Sequence, residues 1–277
     1  MIYLLLTIVS SALVSIVMRL SEYKVRGNIG MLAVNYLVCT LISGGYALGT
    51  WPVLGPQLHL TAGFGVVNGL LYLVSFVLLQ VNVKRNGVVL SSTFMKLGLL
   101  VSLTVSVVFF REIPDTLQIL GFILAVAAIL LINYKKQETA AGFKSGLIWL
   151  LLCGGMGDSM SKIFGESGLA ELEAQFLFFT FLTALVFSTV LMLTQGQKPG
   201  KWELLFGVLI AIPNYFSSKF LLGALEAVPA VIVYPVYSVG SILVVTVTGL
   251  LVFRERLTRQ QWAGVAAILV ALVLLNV

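Results

Sequence analysis

One lysine of this chain lies where only a ligand or a protein partner can compensate its charge. Lys96 stands in an apolar stretch after Ser91, Ser92 and Thr93, with no acidic residue close in sequence. An ionisable side chain at membrane depth costs about 2.5–3.5 kcal/mol on insertion scales, so it faces protein or a water-filled cavity. We expect Lys96, with Ser92 one helical turn before it, to bind a carboxylate or phosphate group of a substrate. Two alternatives stay open: a lysine that binds and releases a proton, and a structural ion pair with a distant carboxylate.

Lys219 is a second candidate of the same kind. It follows Pro213, Asn214 and Tyr215 within another apolar stretch. A proline inside a helix leaves a backbone carbonyl without its usual donor, and such open groups are tolerated at membrane depth where they line a cavity. The pattern predicts substrate contacts from Asn214, Tyr215 and Lys219, and the alternative is a lysine that extends from a helix end to the membrane surface.

Asp158 is a third candidate, and as a carboxylate it could take up and release a proton. Three glycines, at positions 154, 155 and 157, precede it closely, and Lys162 follows it by four residues. Three interpretations stay open: a carboxylate that carries a coupling proton, a partner for Lys96, and a helical ion pair with Lys162. A further acid, Glu226, precedes Pro229, and we expect it to be a solvated charge at a turn between helices.

Polar and aromatic side chains recur along one face of two apolar runs. These faces carry Asn68, Tyr72 and Ser75 in the first run, and Tyr234, Tyr237, Ser238 and Ser241 in the second. Such side chains either join helices through hydrogen bonds or present donors and acceptors to a ligand. We expect the asparagine and the three tyrosines to line a substrate site.

All of these residues stand in apolar runs long enough to cross a bilayer. The 277 residues are 59% hydrophobic and only 10% charged, whereas a soluble domain carries about 25% charged residues. The runs have the length of membrane helices, and they lack the alternation of barrel strands. The sequence predicts an all-α integral membrane protein with ten transmembrane helices, over residues 2–20, 31–49, 61–82, 87–110, 115–134, 144–163, 174–194, 202–224, 228–252 and 258–276.

Other classes of site lack their residues. Cys39 and Cys153 both lie inside apolar runs and His59 is the single histidine, so we expect no metal site and no cofactor. The basic residues lie between apolar runs and form no patch with interleaved aromatics, which argues against nucleic acid as a partner. Because Asp158 and Lys162 form the one close pair that could stand at the same depth within an apolar run, we expect no enzyme. The expected partners are a small-molecule substrate, the lipid bilayer and protons as a candidate coupling ion, with the chain acting as a monomer or homodimer.

The chain repeats itself at an interval of 143 residues. Phe-Arg-Glu at 110–112 recurs at 253–255, and the same interval pairs Gln118 with Gln261 and Gly121 with Gly264. The interval divides the chain into two repeats, 1–137 and 138–277, with five predicted helices each. Because five is odd, the second repeat must enter the membrane from the opposite side, which gives inverted repeats.

Part of the repeated motif is explained by helix architecture. Asp115 with Gln118, and Thr258 with Gln261, are spaced as capping boxes for the last helix of each repeat. Glycines at the repeated positions allow helices to pack closely. We therefore interpret this motif as structural and not as a substrate contact.

The basic residues also predict an orientation. Of the 17 lysines and arginines, thirteen lie on the side of the loop between the first two predicted helices, and three lie on the other side. Since basic loops stay in the cytoplasm, both termini should lie outside it. The expected location is a cell membrane, such as a bacterial inner membrane.

These features together resemble the drug/metabolite transporter superfamily, and within it the ten-helix EamA-like branch. The resemblance is sharpest at 109–134 and 252–277, where each repeat has an apolar run, Phe-Arg-Glu, a capping box with Gln and a helix that carries a glycine. It implies a central cavity lined by the first, third and fourth helices of each repeat and opened alternately to either side. It also implies cytoplasmic termini, opposite to the charge bias.

The resulting functional expectation is alternating-access transport of a small metabolite that bears an anionic group, by an exporter or exchanger. A flippase for a lipid-linked substrate and an exporter of cationic or drug-like compounds are the alternatives within this fold. A membrane protein without cargo is a further alternative, in a different class.

Overall fold

The described part of the chain is built from helices alone. In the computed structural model it comprises residues 1–21, 23–25, 27–49, 56–86, 91, 94–133, 144–167, 169–252 and 258–275. These residues form ten α-helices: α1 Ile2–Ser21, α2 Asn28–Gly49, α3 Pro56–Asn86, α4 Leu99–Phe110, α5 Thr116–Asn133, α6 Lys144–Glu166, α7 Glu173–Thr194, α8 Lys201–Ala227, α9 Ala230–Leu251 and α10 Arg259–Leu275. A short 3₁₀ turn, Ala170–Leu172, precedes α7. The prediction of ten helices is confirmed.

Seven of the described helices, α1 to α3 and α6 to α9, are long and apolar enough to cross a membrane. Three shorter apolar helices, Phe94–Phe110, Thr116–Leu131 and Trp262–Leu275, complete the set. Large apolar side chains such as Leu41, with 67% of its surface exposed, point away from the protein. Lipid solvates such surfaces, and the chain is a multi-pass membrane protein.

The helices form two compact units. The α5/α10 unit comprises Met1, Val74–Lys162 and Leu225–Val277, and the α2/α7 unit comprises Ile2–Leu73 and Ile163–Ala224. Each unit therefore takes helices from both predicted sequence repeats. The division of the sequence into repeats at 137/138 stays a prediction.

Packing in the α5/α10 unit depends on small residues. The core includes Ala125, Ala128 and Ala271, which are fully buried and bring α5 and α10 together. A Cβ on Gly121 would lie 3.0 Å from the Cβ of Leu274, so the glycine at this position permits the close approach that we expected.

The capping box at the start of α5 is confirmed. The backbone N–H of Gln118 donates to Asp115 Oδ1 at 2.8 Å, and the backbone N–H of Asp115 donates to Gln118 Oε1 at 3.2 Å. These bonds satisfy donors that a helix N-terminus otherwise leaves open. The side chain of Gln261, in the second predicted box, lies outside the described residues.

The α2/α7 unit packs through aromatic rings and glycines. The rings of Tyr36 in α2 and Phe181 in α7 lie 6.4 Å apart. On α3, a Cβ added to Gly65 would lie 2.6 Å from the Cβ of Phe179 and 2.9 Å from the carbonyl oxygen of Phe176. Glycine therefore lets α3 lie directly against the backbone of α7.

Candidate functional site

The helix that was predicted over 87–110 is interrupted next to its lysine. Leu97 and Gly98 form a turn between helical residues that end at Lys96 and the start of α4. Here the N–H of Gly98 donates to the carbonyl of Met95 at 3.1 Å, and the N–H of Leu100 donates to that of Leu97 at 3.0 Å. These are three-residue bonds in place of the four-residue bonds of an α-helix. The sequence predicted one helix over 87–110 with Lys96 inside it. In the structure, Lys96 lies directly before a break in that helix.

The break lies directly against α6. A Cβ on Gly98 would be 2.9 Å from the backbone nitrogen of Gly155, so the two backbones are in contact. Ser102 Oγ also donates a hydrogen bond to the carbonyl oxygen of Gly155 at 2.9 Å. Glycine on both helices is required for this approach, because any side chain here would meet backbone atoms.

Asp158 follows Gly155 by one helical turn, and it interacts electrostatically with Lys96. Both side chains are half-buried. Tyr234 of α9, only 1% exposed, donates its hydroxyl to the carbonyl oxygen of Asp158 at 2.9 Å. We call Lys96, Asp158 and Tyr234 the Lys96 cluster. The interaction with Lys96 is compatible with one of the three interpretations of Asp158, and the role of Asp158 stays a prediction.

Lys162, which was considered as a helical partner of Asp158, forms an ion pair with Glu112. Lys162 Nζ lies 2.6 Å from Glu112 Oε1, with the two side chains only 6% and 16% exposed. Arg111 has a left-handed backbone conformation, with φ of 56°, that ends α4 and turns the chain before Glu112. Glu112 Oε2 also accepts a hydrogen bond from the N–H of Val231 at 3.1 Å, in the first turn of α9. Helical spacing permits the pair within α6, but the fold brings a second carboxylate into direct contact.

A buried polar cluster surrounds Asn214 in the α2/α7 unit. Its Nδ2 donates to Asn35 Oδ1 at 3.3 Å and lies 3.8 Å from Cys39 Sγ. Cys39 Sγ in turn donates to the carbonyl oxygen of Ala211 at 3.3 Å, within the part of α8 that precedes Pro213. Sequence analysis missed Asn35, although an asparagine within an apolar run was available as a signal.

Lys219 contacts an aromatic ring. Its Nζ lies 4.1 Å from the ring centroid of Tyr46, which is a cation–π distance. The Tyr46 ring stacks on that of Tyr215 at 5.9 Å, and Tyr215 is 1% exposed. Asn214, Tyr215 and Lys219 therefore stand together on α8, as the sequence predicts.

On the predicted polar face of α3, the side chain of Asn68 contacts a neighbouring helix. Asn68 is 1% exposed, and its Nδ2 donates to Thr180 Oγ1 of α7 at 3.4 Å. Tyr72 is half-buried. A contact with substrate stays a prediction for both residues.

Three candidate residues from the sequence analysis remain, namely Tyr237, Glu226 and Ser92, and they differ in exposure and in whether the structure describes them. Tyr237 is half-buried on α9, where its carbonyl oxygen accepts a hydrogen bond from Ser241 Oγ at 2.7 Å. Glu226 is exposed in the last turn of α8, in agreement with a solvated charge. Ser92 lies outside the described residues.

The candidate residues thus form groups in both compact units. The α5/α10 unit holds the Lys96 cluster, and the α2/α7 unit holds the group around Lys219. Within the described ranges, no set of three His, Cys, Asp or Glu side chains is arranged to hold a metal ion.

Comparison with known proteins gives matches in sequence and in fold. Residues 144–277 match the model of the EamA-like transporter family. An uncharacterized protein of Haemophilus influenzae is 28% identical over 203 residues, which are 71% of this chain and 69% of that protein. A protein of known crystal structure, 12% identical, superposes with a TM-score of 0.79 over 99% of this chain and 94% of its own, and so shares the fold.

The resemblance seen in the sequence is confirmed by these matches. The family consists of membrane transporters and is not an enzyme family. The second half of the chain, residues 144–277, therefore belongs to the EamA-like transporter family of the drug/metabolite transporter superfamily.

Proposed function

We propose that the protein is a secondary transporter, an exporter or exchanger, that moves a small metabolite with an anionic group by alternating access. Lys96 binds the anionic group. The observation that carries this proposal is the position of Lys96 beside the helix interruption at Leu97 and Gly98, with Asp158 close enough to interact with it electrostatically. The expectation that the cargo is a small molecule rests on the family, whose members are transporters.

Helix interruptions within a bilayer have a known use. Transporters bind their substrates near the midplane with helices that are broken there, because the freed backbone groups can face a ligand. A lysine beside such a break adds full positive charge to the exposed peptide groups. A lysine in an unbroken helix would offer a ligand its ammonium group but no free backbone groups.

Charge balance gives Asp158 a role in coupling. A substrate carboxylate that binds Lys96 must compete with Asp158, because one ammonium beside two carboxylates leaves a net negative charge in a medium of low dielectric constant. Uptake of a proton by Asp158 removes this charge as the anion binds. Anion and proton would then cross the membrane together, which makes Asp158 the coupling residue.

Lys219, with Asn214 and Tyr215, is proposed as a second group of substrate contacts. The Tyr46 ring holds the ammonium in place and does not neutralise it, because a ring has a quadrupole and no net charge. Tyr234 and Tyr237 are proposed to contact the substrate from α9, and Asn68 and Tyr72 from α3.

Inverted repeats are part of the proposal, and the helix pairs within each unit support them. Gly121, near the start of α5, lies beside Leu274 at the end of α10, so these helices are antiparallel. In the other unit, Tyr36 contacts Phe181, and Gly44 lies beside Phe178, so α2 and α7 are antiparallel as well. Both pairs consist of helices that the 143-residue interval makes equivalent, as an axis in the membrane plane requires.

An exporter of cationic compounds is the second candidate, and the presence of Asp158 favours it. In this case the cargo's positive charge binds Asp158 and competes with Lys96. The two candidates differ in which side chain the substrate needs, so one set of variants distinguishes them.

The test is a ligand screen on the purified protein by thermal shift, with anionic and cationic metabolites side by side. A ligand at 100 times its Kd adds about 2.7 kcal/mol to the stability of the folded state. We expect an anionic compound to raise the Tm of the native protein and of Lys198→Gln, a variant at an exposed lysine. In Lys96→Gln the affinity for this compound should fall at least tenfold.

Transport of the same compound into proteoliposomes then tests coupling. The native protein should move protons with the anion, and Asp158→Asn should lose this proton movement. Full affinity and transport in Lys96→Gln would overturn the proposal. Binding that depends on Asp158 and selects cations would favour the second candidate.

A further inference from the structure

A cavity that the proposed transport does not use opens in the α2/α7 unit. Its volume is about 620 Å³, and it lies between the residues that follow α1 and the first turn of α8. Tyr23, Lys24, Lys201, Trp202 and Glu203 are among its lining residues. All of them stand at helix ends, so the cavity is at the level of the membrane surface.

The cavity is equipped to bind an anion. Lys24 and Lys201 contribute two positive charges, and Lys201 is the first residue of α8, where the N–H groups of a 27-residue helix add partial positive charge. Lys24 Nζ lies 4.0 Å from the centre of the Trp202 ring, which orients the side chain along the cavity wall.

The acid in the cavity is engaged by the backbone. Glu203 is 8% exposed, and its two oxygens accept hydrogen bonds from the N–H of Gly27 at 3.2 Å and from the N–H of Gly200 at 3.1 Å. The carboxylate thereby ties the segment before α2 to the start of α8. This contact shapes the cavity, and the two lysines and the carboxylate together carry a net charge of +1.

The surroundings favour a lipid as the ligand. Tyrosine, tryptophan and lysine together are typical of the interface between water and hydrocarbon. The helix turns that adjoin the lining residues carry exposed apolar side chains, Leu20 at the end of α1 and Leu204 and Leu205 in α8, which are 43%, 50% and 48% exposed. Bulk lipid solvates such side chains, so the acyl chains of a lipid whose headgroup enters the cavity would stay in an apolar medium.

We propose that this cavity binds the phosphate of an anionic phospholipid headgroup through Lys24 and Lys201. Basic pockets between membrane helices recognise such headgroups on the cytoplasmic side. The charge bias of the sequence predicts that the loops on this side face the cytoplasm. The site shares no residue with the Lys96 cluster, so the proposed lipid is a structural or regulatory ligand and not the cargo.

The experiment compares phosphatidylglycerol with phosphatidylcholine, each added to the full-length protein in a neutral detergent. Melting temperatures and native mass spectra report stabilisation and the number of retained lipids. We expect phosphatidylglycerol to stabilise the native protein and Lys198→Gln more than phosphatidylcholine does. Lys24→Gln/Lys201→Gln should lose this difference, and Lys24→Arg/Lys201→Arg should keep it.

Three results would overturn the proposal. One is an unchanged preference for phosphatidylglycerol in the double glutamine variant. Another is an equal loss in Lys198→Gln, which would indicate general attraction to a basic surface. The third is the same stabilisation by inorganic phosphate alone, which would identify a site for a soluble anion. If the glutamine variant does not fold, the arginine variant and the phosphate comparison still decide the question.

Discussion

Lys96 and Lys162, two lysines in the described part of the chain, both interact with an acidic residue, and the two interactions differ in kind. Lys96 interacts with Asp158, whereas Lys162 forms a direct ion pair with Glu112. The second pair is the more buried, and Glu112 also accepts the hydrogen bond from Val231. We therefore interpret Lys162 and Glu112 as structural, and the Lys96 cluster as functional.

Breaking the structural pair should be costly. Removing one partner of a buried ion pair typically destabilises a protein by roughly 3–5 kcal/mol, because the other charge stays buried without compensation. We expect Lys162→Met to lose about this much stability, and Lys162→Met/Glu112→Gln to recover part of it. Melting temperatures of the purified variants measure both effects. Equal stability of Lys162→Met and the native protein would show that the pair is dispensable.

For single residues, the sequence reveals which buried charged side chains need a partner, but it does not reveal which residue that partner is. Lys96 and Asp158 were identifiable because a charge within an apolar run needs compensation wherever it lies. The partner of Lys162 was not, since Glu112 lies fifty positions earlier in the sequence and only the fold brings them together. Asn35 and Cys39 meet Asn214 for the same reason.

The helices are positioned by glycines at close contacts, and the three glycines before Asp158 show the principle. A Cβ on Gly155 would overlap the carbonyl oxygen of Gly98 and lie 2.6 Å from the Cβ of Val101. A Cβ on Gly154 would have no atom within 4 Å. Of these two glycines, it is therefore Gly155 that controls the distance between α4 and α6.

The two neighbouring positions give a matched test. Gly155→Ala should destabilise the protein by about 1–3 kcal/mol, as overpacking does, and it should reduce transport because it separates Lys96 from Asp158. Gly154→Ala should be neutral or stabilise by up to about 1 kcal/mol, since alanine favours helix. Thermal melting and transport of the identified substrate measure these effects. A similar response of both variants would argue against a special role of the contact at 155.

The long apolar runs in the sequence predicted the helices, and the capping box predicted where α5 begins. The interruption at Leu97 and Gly98 did not, because an isolated glycine is tolerated in many regular helices. Its contact with Gly155 reveals why the chain departs from regular bonding at this position. α3 also begins earlier than predicted, at Pro56 instead of residue 61, since proline is favourable in the first turn of a helix.

For the whole molecule, the compact units differ from the sequence repeats, because each unit is built around helices that the repeat interval relates. Sequence similarity reveals which segments are equivalent, but not which of them pack together. The inverted arrangement remains a proposal, and its orientation in the membrane follows from the charge bias alone.

Orientation can be measured with introduced cysteines on opposite sides. Ile113, which is 83% exposed between α4 and α5, should face outward, and exposed Gln195, after α7, should face the cytoplasm. We expect a membrane-impermeant maleimide to label Ile113→Cys in intact cells, and Gln195→Cys only after permeabilisation. The native protein serves as the blank, since Cys39 is buried and Cys153 half-buried. The reverse pattern would place both termini in the cytoplasm.

The contact between Lys219 and the Tyr46 ring implies a sensitivity to voltage. An aromatic face stabilises a cation but leaves its charge in place, so α8 carries a positive charge within its span. Moving one elementary charge across the full membrane potential changes the free energy by about 2.3 kcal/mol per 100 mV. In the proposed cycle the anion and the proton enter together, so loading adds no net charge and Lys219 keeps its positive charge in both the loaded and the empty carrier. The membrane potential should therefore act on both steps, in proportion to the distance that Lys219 moves across the field.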